Sequence, residues 1–227
     1  QQVSSAASDV YKRQAGLSVG GLGNGGIVDA DSLASNAVTS AKIASNAITP
    51  SVMPTGSIIQ VVQGTTHGTN NYSNVNFENT VISTAITPVH ANSKFLIESV
   101  VHFGIGSEDC ATSFNFSDSL HASGTTHPLG PMSTDGNNGS AGQRLMAFFG
   151  SGSFAADSAI DNFFIGNVSG KYLYTPAYQN TNSRTFAVMV RSAEGINVRL
   201  NMNAHYNAAN PRDMRPTSSI TVYEVKA

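Results

Sequence analysis

The sequence predicts an all-β protein, a jelly-roll-like antiparallel β-sandwich head on a thin, repetitive N-terminal stalk. Three observations predict it. From residue 55 onward, short runs rich in β-branched and aromatic residues alternate in polarity with a period of two. Gly, Asn, Ser or Pro bounds each run, as turn chemistry requires. No apolar i, i+3, i+4 pattern reaches helix length, so less than about a tenth of residues 55–227 is expected in helix. Roughly ten short strands at close turn spacing make a sandwich or jelly roll.

The chain divides into residues 1–14, 15–54 and 55–227. Residues 4–14 read Ser-Ser-Ala-Ala-Ser-Asp-Val-Tyr-Lys-Arg-Gln and resemble the translation of a transposase-type sequencing adapter. They imply a metagenomic source and natural sequence from near Ala15, and they stand outside any fold argument. Residues 15–54 are stalk. A glycine-rich stretch precedes a decapeptide repeat, in which Leu33-Ala-Ser-Asn-Ala-Val-Thr-Ser-Ala-Lys42 aligns on Ile43-Ala-Ser-Asn-Ala-Ile-Thr-Pro-Ser-Val52. Apolar residues recur at the first and sixth positions of each unit. One such unit cannot bury them alone, so the repeats must stack on neighbours or on other chains. An amphipathic helix and a thin intertwined trimer are both open readings, with the Asn and β-branched residues favouring the second.

In the head, Gly56-Ser-Ile-Ile-Gln-Val-Val-Gln63, Thr80-Val-Ile-Ser-Thr-Ala-Ile-Thr-Pro88 and Ser93-Lys-Phe-Leu-Ile-Glu-Ser-Val-Val-His-Phe103 read as the first strands. Further runs start at Thr112, Gln143, Asn162 and Lys171. Thr185–Arg191 and Ile196–Met202 are expected as a hairpin across Ser-Ala-Glu-Gly, the second strand alternating without a break. Ile58, Ile59, Val61 and Val62 put apolar residues on both faces of the first strand. A strand apolar on both sides is usually covered on both, which assigns these four residues to a subunit interface.

Composition excludes several function classes. Charged residues are 11% of the 227, the formal net charge is -2, and Gly, Ser, Thr and Asn dominate the polar complement. No electrostatic case exists for nucleic acid or an anionic membrane surface. No apolar run approaches the ~18–20 residues of a membrane span. Cys110 is the single cysteine, so neither a disulfide framework nor a cysteine-based zinc site is available. The six histidines lack metal-ligand spacing, although an axial ion held by one histidine per subunit stays open. Glu108-Asp109 and Asp157/Asp161 could be glycosidase carboxylates, but loop acids beside turn residues account for them. No nucleophile elbow, phosphate loop or dinucleotide fingerprint is present. The expectation is no catalytic residue, no metal, no cofactor and no enzyme.

The shaft phrase Ile27-Val-Asp-Ala-Asp with the decapeptide repeats resembles the shafts of bacteriophage tail fibres, notably those of marine phages. Gly-Ser-Ile-Ile-Gln-Val-Val-Gln, the Ile86-Thr-Pro to Ser93-Lys-Phe-Leu-Ile97 block and the terminal Ser218-Ser-Ile-Thr-Val-Tyr-Glu-Val225 resemble the C-terminal domain that follows such shafts. The resemblance implies a homotrimeric virion protein, extracellular after host lysis. Its partners would be itself, upstream tail or baseplate proteins, and a host cell-surface glycan or protein bound by the head. A polysaccharide depolymerase tailspike and a trimer-capping or capsid decoration module are the alternatives. Two loops carry the aromatic, amide and Arg mixture suited to recognition. Tyr206, Asn207, Asn210, Arg212 and Arg215 lie in one, Tyr178, Asn180 and Arg184 in the other.

Overall fold

The structure, a computed structural model, describes residues 35–105, 111–121, 127–130, 148–151, 165–192, 195–203 and 215–227. Strands take 51% and helix 4% of the described residues, an all-β fold. It forms two compact units, residues 1–49 and 50–227. In the first, the backbone repeats with the sequence. Asn36 and Asn46, ten residues apart, both adopt the left-handed conformation (φ 62° and 64°), which asparagine tolerates best after glycine. A 3₁₀ turn follows Asn36 at Ser40–Lys42, and the equivalent turn, Pro50–Val52, opens the second unit. The described repeats contain no α-helix, because each asparagine breaks the helical path before a turn can propagate.

The described residues of the second unit form ten strands: β1 (Ile58–Thr66), β2 (Asn70–Tyr72), β3 (Glu78–Ile86), β4 (Lys94–Ile105), β5 (Thr112–Asp118), β6 (Phe149–Ser151), β7 (Gly166–Tyr174), β8 (Arg184–Ser192), β9 (Val198–Leu200) and β10 (Ser218–Val225). All pairings are antiparallel. One sheet runs β1-β10-β4-β7, with the short pair β9-β2 continuing from the far part of β4. The other runs β3-β8-β5-β6. This interleaving of two Greek keys is the jelly roll, which the alternating runs predicted.

Between the sheets, Phe95, Ile97, Val101, Phe103, Ile220 and Val222 of one layer meet Phe114, Phe116, Phe186, Val188 and Val190 of the other. Phe95 reaches Phe186 and Phe103 reaches Phe114, each at 5.1 Å between ring centroids. Such pairs add about 0.5–1.5 kcal/mol beyond area burial. Where edge strands β1 and β3 converge, Gly64 lies against the backbone of Ser83, and a Cβ there would collide with the Ser83 carbonyl. A bulge in β3 between Asn79 and Ser83 loosens its pairing with β8, and the Val81 N–H donates instead to the Tyr72 hydroxyl at 3.0 Å.

Two strand expectations are corrected. Ile196–Met202 is not one strand: β9 covers only Val198–Leu200, because Asn201 turns left-handed (φ 53°). Its side chain, fully buried, donates to the carbonyls of Thr66 and Gly68 and accepts from Ser218 Oγ at 2.6 Å, stitching β9, β10 and the β1–β2 turn. Nor do β8 and the following strand form a hairpin. β8 belongs to one sheet and β9 to the other, with Gly195 at φ 72° on the crossing. Of the runs starting at Gln143 and Asn162, residues 143–147 and 162–164 lie outside the described residues.

The proximal end of the sandwich, where residues 50–57 join it, is tied by one carboxylate and one ammonium. Glu224, fully buried, accepts hydrogen bonds from Gln60 Nε2 (3.0 Å), the N–H groups of Val89 (2.9 Å) and His90 (3.1 Å), and Ser93 Oγ (2.5 Å). Lys226 Nζ donates to the carbonyls of Ser51 and Met53 at 2.7 and 2.6 Å. Each charge-assisted bond is worth about 1.5–3 kcal/mol net. We therefore expect Glu224→Gln, which turns one acceptor into a donor facing donors, to cost about 3 kcal/mol in denaturant unfolding. A loss below about 1 kcal/mol would show that the cluster does not hold this end together.

Candidate recognition and assembly surfaces

The described residues flanking the two candidate loops lie at opposite ends of the jelly roll. β7 finishes with Tyr174 opposite Phe95, beside the proximal cluster, so the β7–β8 connection carrying Tyr178 and Asn180 is proximal. β9 and β10 meet at the other end, where Ser218 pairs with Thr66, and Arg215 Nη2 reaches the His67 carbonyl at 3.4 Å. Tyr206, Asn207, Asn210 and Arg212 lie outside the described residues; Asn203 and Arg215, the described residues on either side of them, are at this distal end. Tyr178 is exposed, and Asn180 is half-buried with its Oδ1 accepting from the Asn182 N–H.

Arg184 is corrected. It is 1% exposed and unavailable to any receptor. Its Nη1 donates to Asp118 Oδ2 at 2.7 Å, its Nη2 to the Tyr178 carbonyl at 3.0 Å, and its carbon Cζ lies 5.2 Å from the centre of the Phe95 ring. Asp118 Oδ1 also accepts from the Leu120 N–H. A guanidinium in a loop-like sequence reads as a surface group. Here the strand alternation of β8 turns it inward, where only a buried carboxylate could hold it. Tyr174 joins the group: burial first, then the neighbouring Asp118 carboxylate, push its phenol well above the usual value of 10.0.

The outward face of the first sheet is ruled into rows by its register. Val61, Tyr223, Leu96 and Leu173 lie side by side across β1, β10, β4 and β7. Val61 and Leu173, at the two edges, are 52% and 53% exposed. The next outward row is Gln63, Thr221, Glu98 and Lys171. Lys171 pairs with Glu98, which also accepts from the Tyr223 hydroxyl at 3.2 Å, and this partner raises the ammonium's pKa. A shallow depression of about 350 Å³ opens beyond, lined by Val100, Ser169, Ser219 and the Glu98–Lys171 pair. Of the four interface residues expected from sequence, Ile58 and Val61 are exposed, Ile59 is half-buried, and Val62 packs against the core. A bulge between Ile58 and Gln60 shifts the alternation. Tyr223, Leu96 and Leu173 were missed in sequence, since only the register aligns them with Val61.

Among the described residues, no group of three or more potential metal-ligating side chains occurs. The fold does bring together two histidines that sequence spacing separates. His121 and His127 stack at 4.3 Å, and burial and the facing His121 lower the His127 pKa. Glu108, Asp109, Cys110, Asp157 and Asp161 lie outside the described residues. No described helix is long and apolar enough to cross a membrane.

Two measurements check the Arg184 cluster. Arg184→Met should cost about 3–5 kcal/mol by stranding the Asp118 carboxylate, and adding Asp118→Leu should recover most of that loss. The raised Tyr174 pKa favours the neutral phenol in the folded state. Its contribution is therefore complete below the unfolded value of 10.0 and disappears as pH climbs above it. Denaturant unfolding should lose stability above about pH 10, less steeply in Tyr174→Phe. Equal slopes in both proteins would remove Tyr174 from the account.

Compared with known proteins, the chain matches no protein-family model and no curated protein significantly.

Proposed function

We propose that this chain is a tail-fibre-like structural protein of a bacteriophage, a homotrimer whose jelly-roll head binds a glycan or protein on the host surface. The observation that carries the reading is the stalk. Val38, Ile43 and Ile48 recur every five residues, and all three are exposed in the single chain. Each exposed aliphatic side chain forgoes about 1.5–3 kcal/mol of burial, so a segment that repeats this pattern is stable only when other copies cover it. The row of Val61, Tyr223, Leu96 and Leu173 gives the head a second apolar surface for the same partners. On this reading the virion is the place of residence, host lysis the route out, and tail or baseplate proteins the upstream partners. The shaft and head phrases of the sequence support it, and no residue is assigned to catalysis.

Recognition belongs at the distal end, away from the chain's approach, which favours the connection holding Tyr206 and Arg212 over the proximal Tyr178. Two experiments test the reading. Replacing Val38, Ile43 and Ile48 by Asp together should convert a trimer into monomers in sedimentation at micromolar concentration. A wild-type chain that sediments as a stable monomer would overturn the assembly reading. Tyr206→Ala with Arg212→Ala should cut adsorption of fibre heads to host cells at least tenfold without changing the oligomer, while Tyr178→Ala leaves both unchanged. Unaltered adsorption in the double variant would move the site elsewhere.

A further inference from the structure

β8 carries two buried arginines with opposite circumstances. Arg184, at its start, has a carboxylate, a carbonyl and an aromatic face. Arg191, near its end, is only 7% exposed and has no carboxylate partner among the described residues; its Nε, like that of Arg184, makes no hydrogen bond. The ion pairs among the described residues are Lys171–Glu98 and Arg184–Asp118, and neither involves Arg191. An arginine cannot shed its proton to escape such a site. A buried, unpaired guanidinium is strongly destabilising unless an anion accompanies it.

The neighbours of Arg191 are donors as well. Phe114, Phe116, Val188 and Val190 face the core, so alternation places Ser113, Asn115, Met189 and Arg191 on the opposite face of the sheet. All four are buried. Ser113 stands directly across from Arg191 in the β5–β8 register, and its Oγ has no partner. On its other side Ser113 faces Gly150, which adds no side chain. Asn115, two residues along, spends its Oδ1 on the N–H groups of Phe116 and Gly130, which fixes the amide and leaves Nδ2 as the free donor. Ser117 bounds the set, since its hydroxyl is satisfied by Asn79. A fixed cation and two unused donors therefore share one buried patch.

We propose that Arg191, Ser113 and Asn115 form an anion-binding site for a carboxylate group, the guanidinium fork taking its two oxygens and the hydroxyl and amide completing the shell. Carboxylate geometry matches the fork, which an isolated lysine ammonium could not reproduce. The group could come from a free small acid or from an acidic sugar, and the two differ in what surrounds the same carboxylate. This site is independent of the distal loop and of assembly through the stalk.

The test is calorimetric titration of the full chain with sodium acetate and, separately, sodium glucuronate in chloride-free buffer. Saturable binding of one anion per chain is expected. Equal affinities assign the site to small acids, and tighter glucuronate binding assigns it to an acidic glycan. Arg191→Met should weaken either anion at least tenfold, with Arg191→Lys intermediate. Without added anion, Arg191→Met should unfold at higher denaturant than wild type, and added acetate should reverse that order. Should Arg191→Met fail to fold, Ser113→Ala replaces it, with binding expected to weaken several-fold. Isotherms that do not saturate, meaning an adventitious ion only, would overturn the proposal. So would anion binding unchanged by the Arg191 or Ser113 substitution.

Discussion

The Glu224 carboxylate is the constraint on which the proximal half of the head depends. A charge buried on the core side of β10 would be intolerable alone, and its two oxygens take donors from four positions on three segments. Gln60 comes from β1, Val89 and His90 from the loop after β3, and Ser93 from the residue before β4. Those positions fall in the head phrases that the sequence sets apart, the first strand, the stretch between Ile-Thr-Pro and Ser-Lys-Phe, and the terminal Tyr-Glu-Val. One shared hydrogen-bond shell thus joins these three stretches of the chain. The same shell fixes where the chain joins the sandwich, because Lys226, two residues beyond Glu224, holds the carbonyls of Ser51 and Met53.

The opposite end is organised differently. There the chain must change sheets and start new pairings, and neutral amide and hydroxyl groups do the joining. Asn201 and Ser218 satisfy the backbone where β9 stops and β10 begins, and the His102 N–H donates to the same Ser218 hydroxyl. Neutral groups cost less to bury than charges and tolerate changes in the loops they support. The end where residues 50–57 join the sandwich is thus closed by charge, and the other end by amides and hydroxyls.

Assembly and recognition would then use separate chemistry. The repeats and the Val61–Tyr223–Leu96–Leu173 row offer aliphatic and aromatic surface, which associates without direction and strengthens with area. The distal loop offers amides, guanidinium groups and rings, which discriminate by geometry. Low overall charge fits both, since such a surface meets water through hydroxyls and amides.

Period-two alternation fixed the all-β class from sequence alone, because a strand half-buried in a sandwich must alternate. Turn residues located most strands, and the decapeptide repeat is legible in the sequence; over its described residues the conformation is local, with left-handed Asn36 and Asn46 ten residues apart. Sequence could not say which strands share a sheet. The run through Met202 read as unbroken because Asn201 is polar in the outward register whether it extends the strand or ends it. Arg184 read as a recognition residue because nothing local reveals Asp118, 66 positions away. Its burial, the alignment of Leu96 and Leu173 with Val61, and the isolation of Arg191 are matters of strand register. Register is set by hydrogen bonds between distant segments, and so only the tertiary structure decided them.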